Sequence, residues 1–231
     1  MSGKKIYYIG GMKGGVGKSL CAHVLTDALI SAGNTPLLIE TDTANPDLYK
    51  CFKDSLDVQM CSLNSEADDT GWRSFITLLS ENEDKTIVVN TPAQNNAGFA
   101  MYGPLLNTLP GLSERLIPLW VIDAGRDCLE LLADFLDVID TAGAVHVVKN
   151  GYHAKQGAFT IFDESKMSKR LAAAGGKTIF MPKLIAPAAA KIYAERRNLA
   201  DILASDIDMG LRVFIESWRN TMHKNLAEVL E

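Results

Sequence analysis

Cysteine is scarce and scattered: Cys21, Cys51, Cys61 and Cys128 include no C-x-x-C pair and have no accompanying histidine cluster, so no zinc site can be assembled from them. Reduced, partly buried thiols in a cytoplasmic protein are expected. The four histidines, His23, His146, His153 and His223, show neither ligand spacing nor a partnered nucleophile. Nowhere do eighteen apolar residues follow one another, and the polar start Met1 to Lys5 runs directly into a short apolar strand without the apolar core of a signal peptide. Secretion and membrane spanning are therefore not expected. Linkers rich in Gly, Ser or Pro, low-complexity tracts and internal repeats are lacking too, which leaves one domain over residues 1–231. Positive charge is short in the first part of the chain: residues 1–145 carry 10 Lys and Arg against 19 Asp and Glu, net −9, whereas residues 146–231 carry 13 against 9, net +4. Such an asymmetry marks either a polyanion-facing surface or an ordinary fluctuation of surface charge.

What is present is a strict alternation. Short β-rich runs, KIYYIG, PLLIE, KTIVVN, RLIPLWVID, AVHVVKN and KTIFMP, are separated by segments with helical apolar spacing, among them Lys18 to Ala32, Arg126 to Ala142 and Ser165 to Ala174. Gly33-Asn34 followed by Pro36, then Gly143, and then Gly175-Gly176 stop these helices. This order means βαβ units: an α/β fold with a mostly parallel central sheet and helices on both faces. From about Ala188 the pattern is helical to the end, broken near Ser205 to Gly210, and Leu211, Phe214, Trp218, Met222 and Leu226 form one stripe expected to pack on the sheet. The opposite face mixes Glu216, Glu228 and Glu231 with Arg212, Arg219 and Lys224, and so lacks the strongly basic character of a membrane-surface helix.

The stretch IGGMKGGVGKSLCAHVL, Ile9 to Leu25, places a glycine-rich turn between the first strand and the first helix. It nearly fits the phosphate loop G-x-x-x-x-G-K-[ST], ending in Gly17, Lys18 and Ser19, but Met12 stands where the first glycine belongs and Lys13 is an additional lysine. Backbone N–H groups of such a turn converge on an anion, and Gly14, Gly15 and Gly17 let the backbone approach it closely. Val16 and Leu20 complete the candidate nucleotide-binding set. Lys18 is expected to reach the β- and γ-phosphates and Ser19 to ligate Mg²⁺.

The variant loop KGGVGKS resembles the deviant Walker A motif of the ParA/MinD family of ATPases, which move plasmids and position cell-division machinery. The resemblance implies a P-loop NTPase fold of three layers, ATP and ADP as ligands with Mg²⁺, and a homodimer closed around ATP. It further implies that Lys13 reaches across the dimer to the phosphates held by the other subunit, a cation supplied in trans as an arginine finger is. Otherwise Lys13 is an exposed charge beside a phosphate pocket.

The resemblance continues with departures. The family's next motif is two aspartates one residue apart; here LLIETD offers Glu40 and Asp42, the latter matching the residue that orients the attacking water and meets the Mg²⁺ shell. The Walker B strand that ends Asp-Thr-Pro in the family reads TIVVNTP, with Asn90 in place of the aspartate, Thr91 and Pro92 being intact. Asn90 can accept a hydrogen bond from a Mg²⁺-bound water but supplies no negative charge, so weak, slow hydrolysis is expected. Glu40, Asp42, Ser19 and Asn90 form the expected metal set, and Lys13, Lys18 and Asp42 the catalytic set. Asn150 stands where the family reads adenine with an asparagine, and is equally a strand-end turn residue in Asn-Gly; Pro182 stands where a family loop closes over the base. The match runs in order from Lys4 to about Pro182.

Cys128 with the run GFAM is similar to the nitrogenase iron protein of the same superfamily, but that protein needs two separate cysteines per subunit, and no second one stands near a suitable loop. Lys166, Lys169 and Arg170 on one helix, with Lys191, Arg196 and Arg197 on another, either grip DNA without sequence preference or are solvated faces. The reading that results is an ATPase in plasmid or DNA partition or in conjugative DNA transfer, stimulated by an unidentified partner protein and not attached to a membrane. Against it stands a nucleotide-gated binding module with little or no hydrolysis. A small-molecule ligase or kinase on the same fold has no identifiable acceptor site.

Overall fold

The computed structural model describes residues 4–11, 13–63, 69–93, 96–141 and 144–230. Met12, and the Ala142 and Gly143 with which the sequence closes a helix, lie outside these. Seven strands form one sheet: β1 (Ile6–Gly10), β2 (Leu37–Glu40), β3 (Val58–Met60), β4 (Ile87–Asn90), β5 (Leu116–Ile122), β6 (His146–Asn150) and β7 (Thr178–Met181), in the order β3-β2-β4-β1-β5-β6-β7. Every neighbouring pair is parallel. The near-continuous apolar runs of the sequence follow from this, because helices cover both faces of a parallel sheet and its inner strands are buried on both sides. Strand β3 is not expected from the sequence. Its three residues lie at the sheet edge with Gln59 and Met60 exposed, too short and too polar to show a pattern.

Around the sheet lie α1 (Lys18–Ser31), α2 (Asp47–Phe52), α3 (Thr70–Glu81), α4 (Asn96–Tyr102), α5 (Leu112–Arg115), α6 (Asp127–Val138), α7 (Thr160–Asp163), α8 (Lys166–Ala173), α9 (Ala186–Tyr193), α10 (Leu199–Ala204) and α11 (Met209–Leu230). Helix α1 is buried from Cys21 to Leu29, polar residues included, as befits a core helix rather than an amphipathic one. Helix α6 is shorter than the apolar spacing suggests, ending at Val138. The four thiols are free and buried, and burial pushes each of them up to about 12, which disfavours the thiolate.

An aromatic chain fills the space between the sheet and the helices around it. The Phe135 ring lies 4.9 Å from Trp120 and 5.5 Å from both Tyr8 and Phe99, and Phe99 lies 6.2 Å from Trp72. The last residue of β1 must be glycine for this layer to close: a Cβ on Gly10 would stand 2.4 Å from Trp120 Cε3.

Helix α11 is tied to α1 by charge as well as by packing. Buried Asp27 accepts from Arg219 Nε at 2.7 Å and Nη2 at 3.0 Å, and His223 Nε2 stands 2.6 Å from the same carboxylate. Its inward face is Ile215, Trp218, Met222, Leu226 and Val229. The sequence-based stripe therefore needs correction at its start: Leu211 is only partly buried, and Phe214, at 61% exposure, points to solvent. The 3-4-4-3 spacing from Ile215 keeps a straighter stripe on a 3.6-residue helix than the 3-4-4-4 spacing from Leu211. Replacing Gly10 with Ala should cost about 1–3 kcal/mol through overpacking against Trp120. Chemical denaturation checks this; an unchanged midpoint would show that Trp120 is free to move.

Candidate functional site

The C-terminal ends of the strands lie at one edge of the sheet. There Gly10, Glu40, Asn90, Ile122, Asn150 and Met181 are the last residues of β1, β2, β4, β5, β6 and β7. With β4 on one side of β1 and β5 on the other, the connections diverge at β1, and the crevice at such a switch point is where parallel α/β sheets bind ligands. The glycine-rich loop enters this crevice and ends at Gly17, which is left-handed at φ 106° and leads into α1. A Cβ here would also stand 2.3 Å from Asn150 Nδ2, so both conformation and contact require glycine.

Lys18, the first residue of α1, is buried, and its Nζ donates to Lys13 O at 3.2 Å. Among the described residues its ammonium has no carboxylate within ion-pair distance. Burial lowers its pKa from the ordinary 10.5 to about 8, with Asp42 acting in the opposite direction. A buried cation without a counter-charge is an anion site awaiting its anion.

Two cavities meet at the loop. One, of about 330 Å³, is the more polar and is lined by Gly14, Lys18, Ser19, Asp42, Asn45 and Asp47, with Ala93. The other, of about 430 Å³, is lined by Leu20, Leu184, Ala186 and Ala189 together with Asn150, Tyr152 and Lys183. Gly15, Gly17 and Tyr193 line both. A polar chamber beside a largely apolar one, joined at a glycine turn, matches phosphates on one side and a flat heterocycle on the other.

Glu40 and Asn90 lie behind these chambers rather than in their walls. Strand register pairs them across β2 and β4, and both are fully buried. Glu40 Oε1 accepts from Asn90 Nδ2 at 2.9 Å and from Asp42 N at 3.0 Å, and its Oε2 accepts from Leu48 N at 3.0 Å. Burial still pushes the carboxyl up to about 7 despite these three bonds. Among the described residues Asn90 Oδ1 has no partner, although it is buried. That orphaned acceptor is the polar atom of the pair left for a water, such as one bound to a cation, whereas both oxygens of Glu40 already accept N–H groups. Asp42 Oδ1 accepts from Asn45 N at 3.0 Å, which sets the turn that carries the carboxylate into the polar chamber.

Lys13 takes a different course. Its Nζ pairs with Asp123 Oδ2 at 2.8 Å and lies 3.6 Å from Asp127 Oδ2, and the hydrogen bond to Asp123 raises its pKa. Lys13 lines neither chamber. Asn150 is engaged by the backbone on both ends: Nδ2 donates to Val16 O at 2.8 Å, and Oδ1 accepts from Tyr152 N at 2.9 Å. Pro182 stands just outside the apolar chamber that its neighbours Lys183 and Leu184 line, its carbonyl accepting from Trp218 Nε1 at 2.7 Å.

Several site residues escape the sequence. Tyr152, Lys183 and Tyr193 line the apolar chamber, with Lys183 Nζ 5.1 Å from the centre of the Tyr152 ring, and no local pattern announces them. His153, to which the sequence gives no role, has Nε2 3.1 Å from Gly15 O. Asp123 carried a signal, since a carboxylate ends the strand-like run RLIPLWVID. Of the two basic clusters, Lys166, Lys169 and Arg170 are exposed. In the other, Glu195 takes up Lys191 at 3.0 Å and Arg197 at 3.6 Å, which lowers the net charge of the cluster from +3 to +2.

No family model matches the chain. Protein MobD of Acidithiobacillus ferrooxidans is 38% identical over 228 residues, covering 98% of both chains. Among solved structures, a plasmid partition protein of Borrelia burgdorferi B31 bound to AMPPNP superposes with a TM-score of 0.54 at 18% identity, over 97% of this chain and 99% of that one. The MinD cell-division protein of Aquifex aeolicus, in its complex with MinC, gives a TM-score of 0.51 at 14% identity, over 94% and 95%. At such identities the structural likeness establishes the fold, that of ParA/MinD-type P-loop proteins.

The state of Lys18 makes the site's pH dependence specific. Affinity for a nucleotide triphosphate should be level up to about pH 8 and fall above it by up to about tenfold per unit, as the ammonium is lost. In the same window, from about 8 to 10.5, the unfolded chain binds the proton that the folded one has released, so this group's contribution to stability rises with pH. Titration with a fluorescent ATP analogue from pH 7 to 10 checks the first statement; affinity unchanged at pH 10 would contradict it.

Proposed function

The chain belongs to the family of MobD, and on that premise we propose that it is an ATPase of the ParA/MinD type, one domain throughout, that pairs with a second copy around ATP and Mg²⁺ and serves conjugative mobilisation or partition of DNA. The observation that carries the nucleotide reading is the buried, carboxylate-free Lys18 facing a polar chamber that opens into an apolar one. The AMPPNP carried by the plasmid partition relative supports the identity of the ligand. The name of the 38% identical relative favours mobilisation over partition.

In this reading the loop N–H groups and Lys18 hold the phosphates. Tyr152, Leu184 and Tyr193 enclose the base, beside Asn150, whose second N–H and second lone pair remain for it. Ser19 and Asp42 would hold Mg²⁺, which would supply positive charge against the phosphates, and Asn90 Oδ1 would be left to accept a hydrogen bond from a water of that ion. Asp42 orients the attacking water. In the single chain Lys13 stays on Asp123; nucleotide phosphates of a second copy compete with that carboxylate and draw the lysine across. The exposed Lys166, Lys169 and Arg170 are the candidate DNA contacts, and any such binding is salt-sensitive and indifferent to sequence.

A second reading, a nucleotide-gated binding module that signals without meaningful turnover, is favoured by the uncharged Asn90. The test is ATP hydrolysis with light scattering in parallel, on the native protein and on Lys13→Ala. Because Lys13 lines neither chamber, the variant should bind nucleotide normally, remain monomeric with ATP, and hydrolyse it about 10²–10³-fold more slowly, as expected when a cation is lost from the transferring phosphoryl group. A variant that dimerises and turns over normally contradicts the in-trans role; a native protein that dimerises without turnover establishes the gated module.

A further inference from the structure

Glu40 and Asn90 are two positions beyond the glycine-rich loop where this chain leaves the pattern it otherwise follows, and the structure brings them into direct contact. They are register partners at the ends of adjacent parallel strands, and Asn90 Nδ2 donates to Glu40 Oε1 at 2.9 Å. We propose that Glu40 is a positioning residue rather than a metal ligand, and that Glu40 with Asn90 forms one linked unit in which an amide donor must face a carboxylate. The part of this proposal that concerns Mg²⁺ rests on the reading of the site as an ATP site; the linkage itself does not.

The geometry leaves little choice. Glu40 is fully enclosed, and its two oxygens collect three N–H groups from three different pieces of chain. Asn90 belongs to β4, Asp42 N opens the loop that carries the water-orienting carboxylate, and Leu48 N lies in the first turn of α2. That loop, residues 41–47, is thus tied at both ends to one side chain. An aspartate at position 90 would set a second carboxylate against Glu40 in a place closed to water, and the two charges would repel at a distance where effective screening is weak. An aspartate at position 40 would keep the charge but lose about one bond length of reach, too short to hold Asn90 and α2 together. The longer acid and the amide are therefore a matched pair, and the amide's Oδ1 is left without a partner among the described residues.

A four-protein cycle tests this: the native chain, Glu40→Gln, Asn90→Asp, and the exchange Glu40→Gln with Asn90→Asp, with Glu40→Asp as a fifth protein. The first readout is thermal unfolding without nucleotide, and the second is the Mg²⁺ concentration that half-saturates nucleotide binding. Each single variant should lose on the order of 5 °C or more in Tm, and the exchange should lose clearly less than the two losses summed, because a donor again faces a carboxylate, although the new amide nitrogen at position 40 then meets the N–H of Asp42. Glu40→Asp should also lose stability, and should need several-fold more Mg²⁺ because Asp42 is no longer held. A chain stabilised only by bulk packing at position 40 would not show that Mg²⁺ shift. Additive single losses, or an Asn90→Asp protein as stable as the native one, would overturn the linkage. Should nucleotide binding fail in the native protein, the ATP reading falls, while the unfolding cycle still decides whether the two residues act as a pair.

Discussion

The parallel pairing of β2 with β4 and of β4 with β1 is the constraint from which the site follows. It sets Glu40 opposite Asn90 and Ile9 opposite Asn90, so that three chain segments leave the sheet side by side. The residues just beyond the strands continue the stitching. Thr41 gives both its N–H and its hydroxyl to Asn90 O, at 3.0 and 2.8 Å, and Thr91 gives its hydroxyl to Ile9 O at 2.7 Å. Each such bond contributes about 1 kcal/mol; the larger effect is geometric, since the glycine loop, the Asp42 loop and the segment after β4 cannot shift independently.

Two lysines five positions apart in that loop have opposite environments, and the difference follows from where the backbone leaves each. Lys18 begins a core helix and is buried, without a carboxylate within ion-pair distance among the described residues. Lys13 sits before the turn at the protein surface, where Asp123 and Asp127 neutralise it. The first arrangement stores an unmet demand for an anion at the cavity; the second holds a cation in reserve within its own chain. A phosphate group satisfies the first directly, and a second copy of the chain releases the second.

Much of this was legible in the residues. The six longer strands, the first helix with its stop at Gly33, and the phosphate loop are local patterns: an apolar run, a glycine at φ 82°, a spaced Gly-Lys-Ser. The pairing of Glu40 with Asn90 was not legible, because register between strands forty-six or more residues apart leaves no mark in either segment; each therefore reads as an isolated departure and as a metal ligand. Tyr152 and Tyr193 were out of reach for the same reason, one following β6 and the other ending α9, and meeting only when the sheet is closed. Phe214 shows the converse failure, an apolar residue at acceptable helical spacing that the tertiary structure nevertheless leaves exposed.

The most direct test of the account is a crystal structure with Mg²⁺ and a non-hydrolysable ATP analogue. The account predicts triphosphate around Lys18, the base among Tyr152, Leu184 and Tyr193, and Lys13 withdrawn from Asp123 and lying against the phosphates of a second copy. A nucleotide-bound single chain with Lys13 still on Asp123, or a nucleotide bound elsewhere, would contradict it.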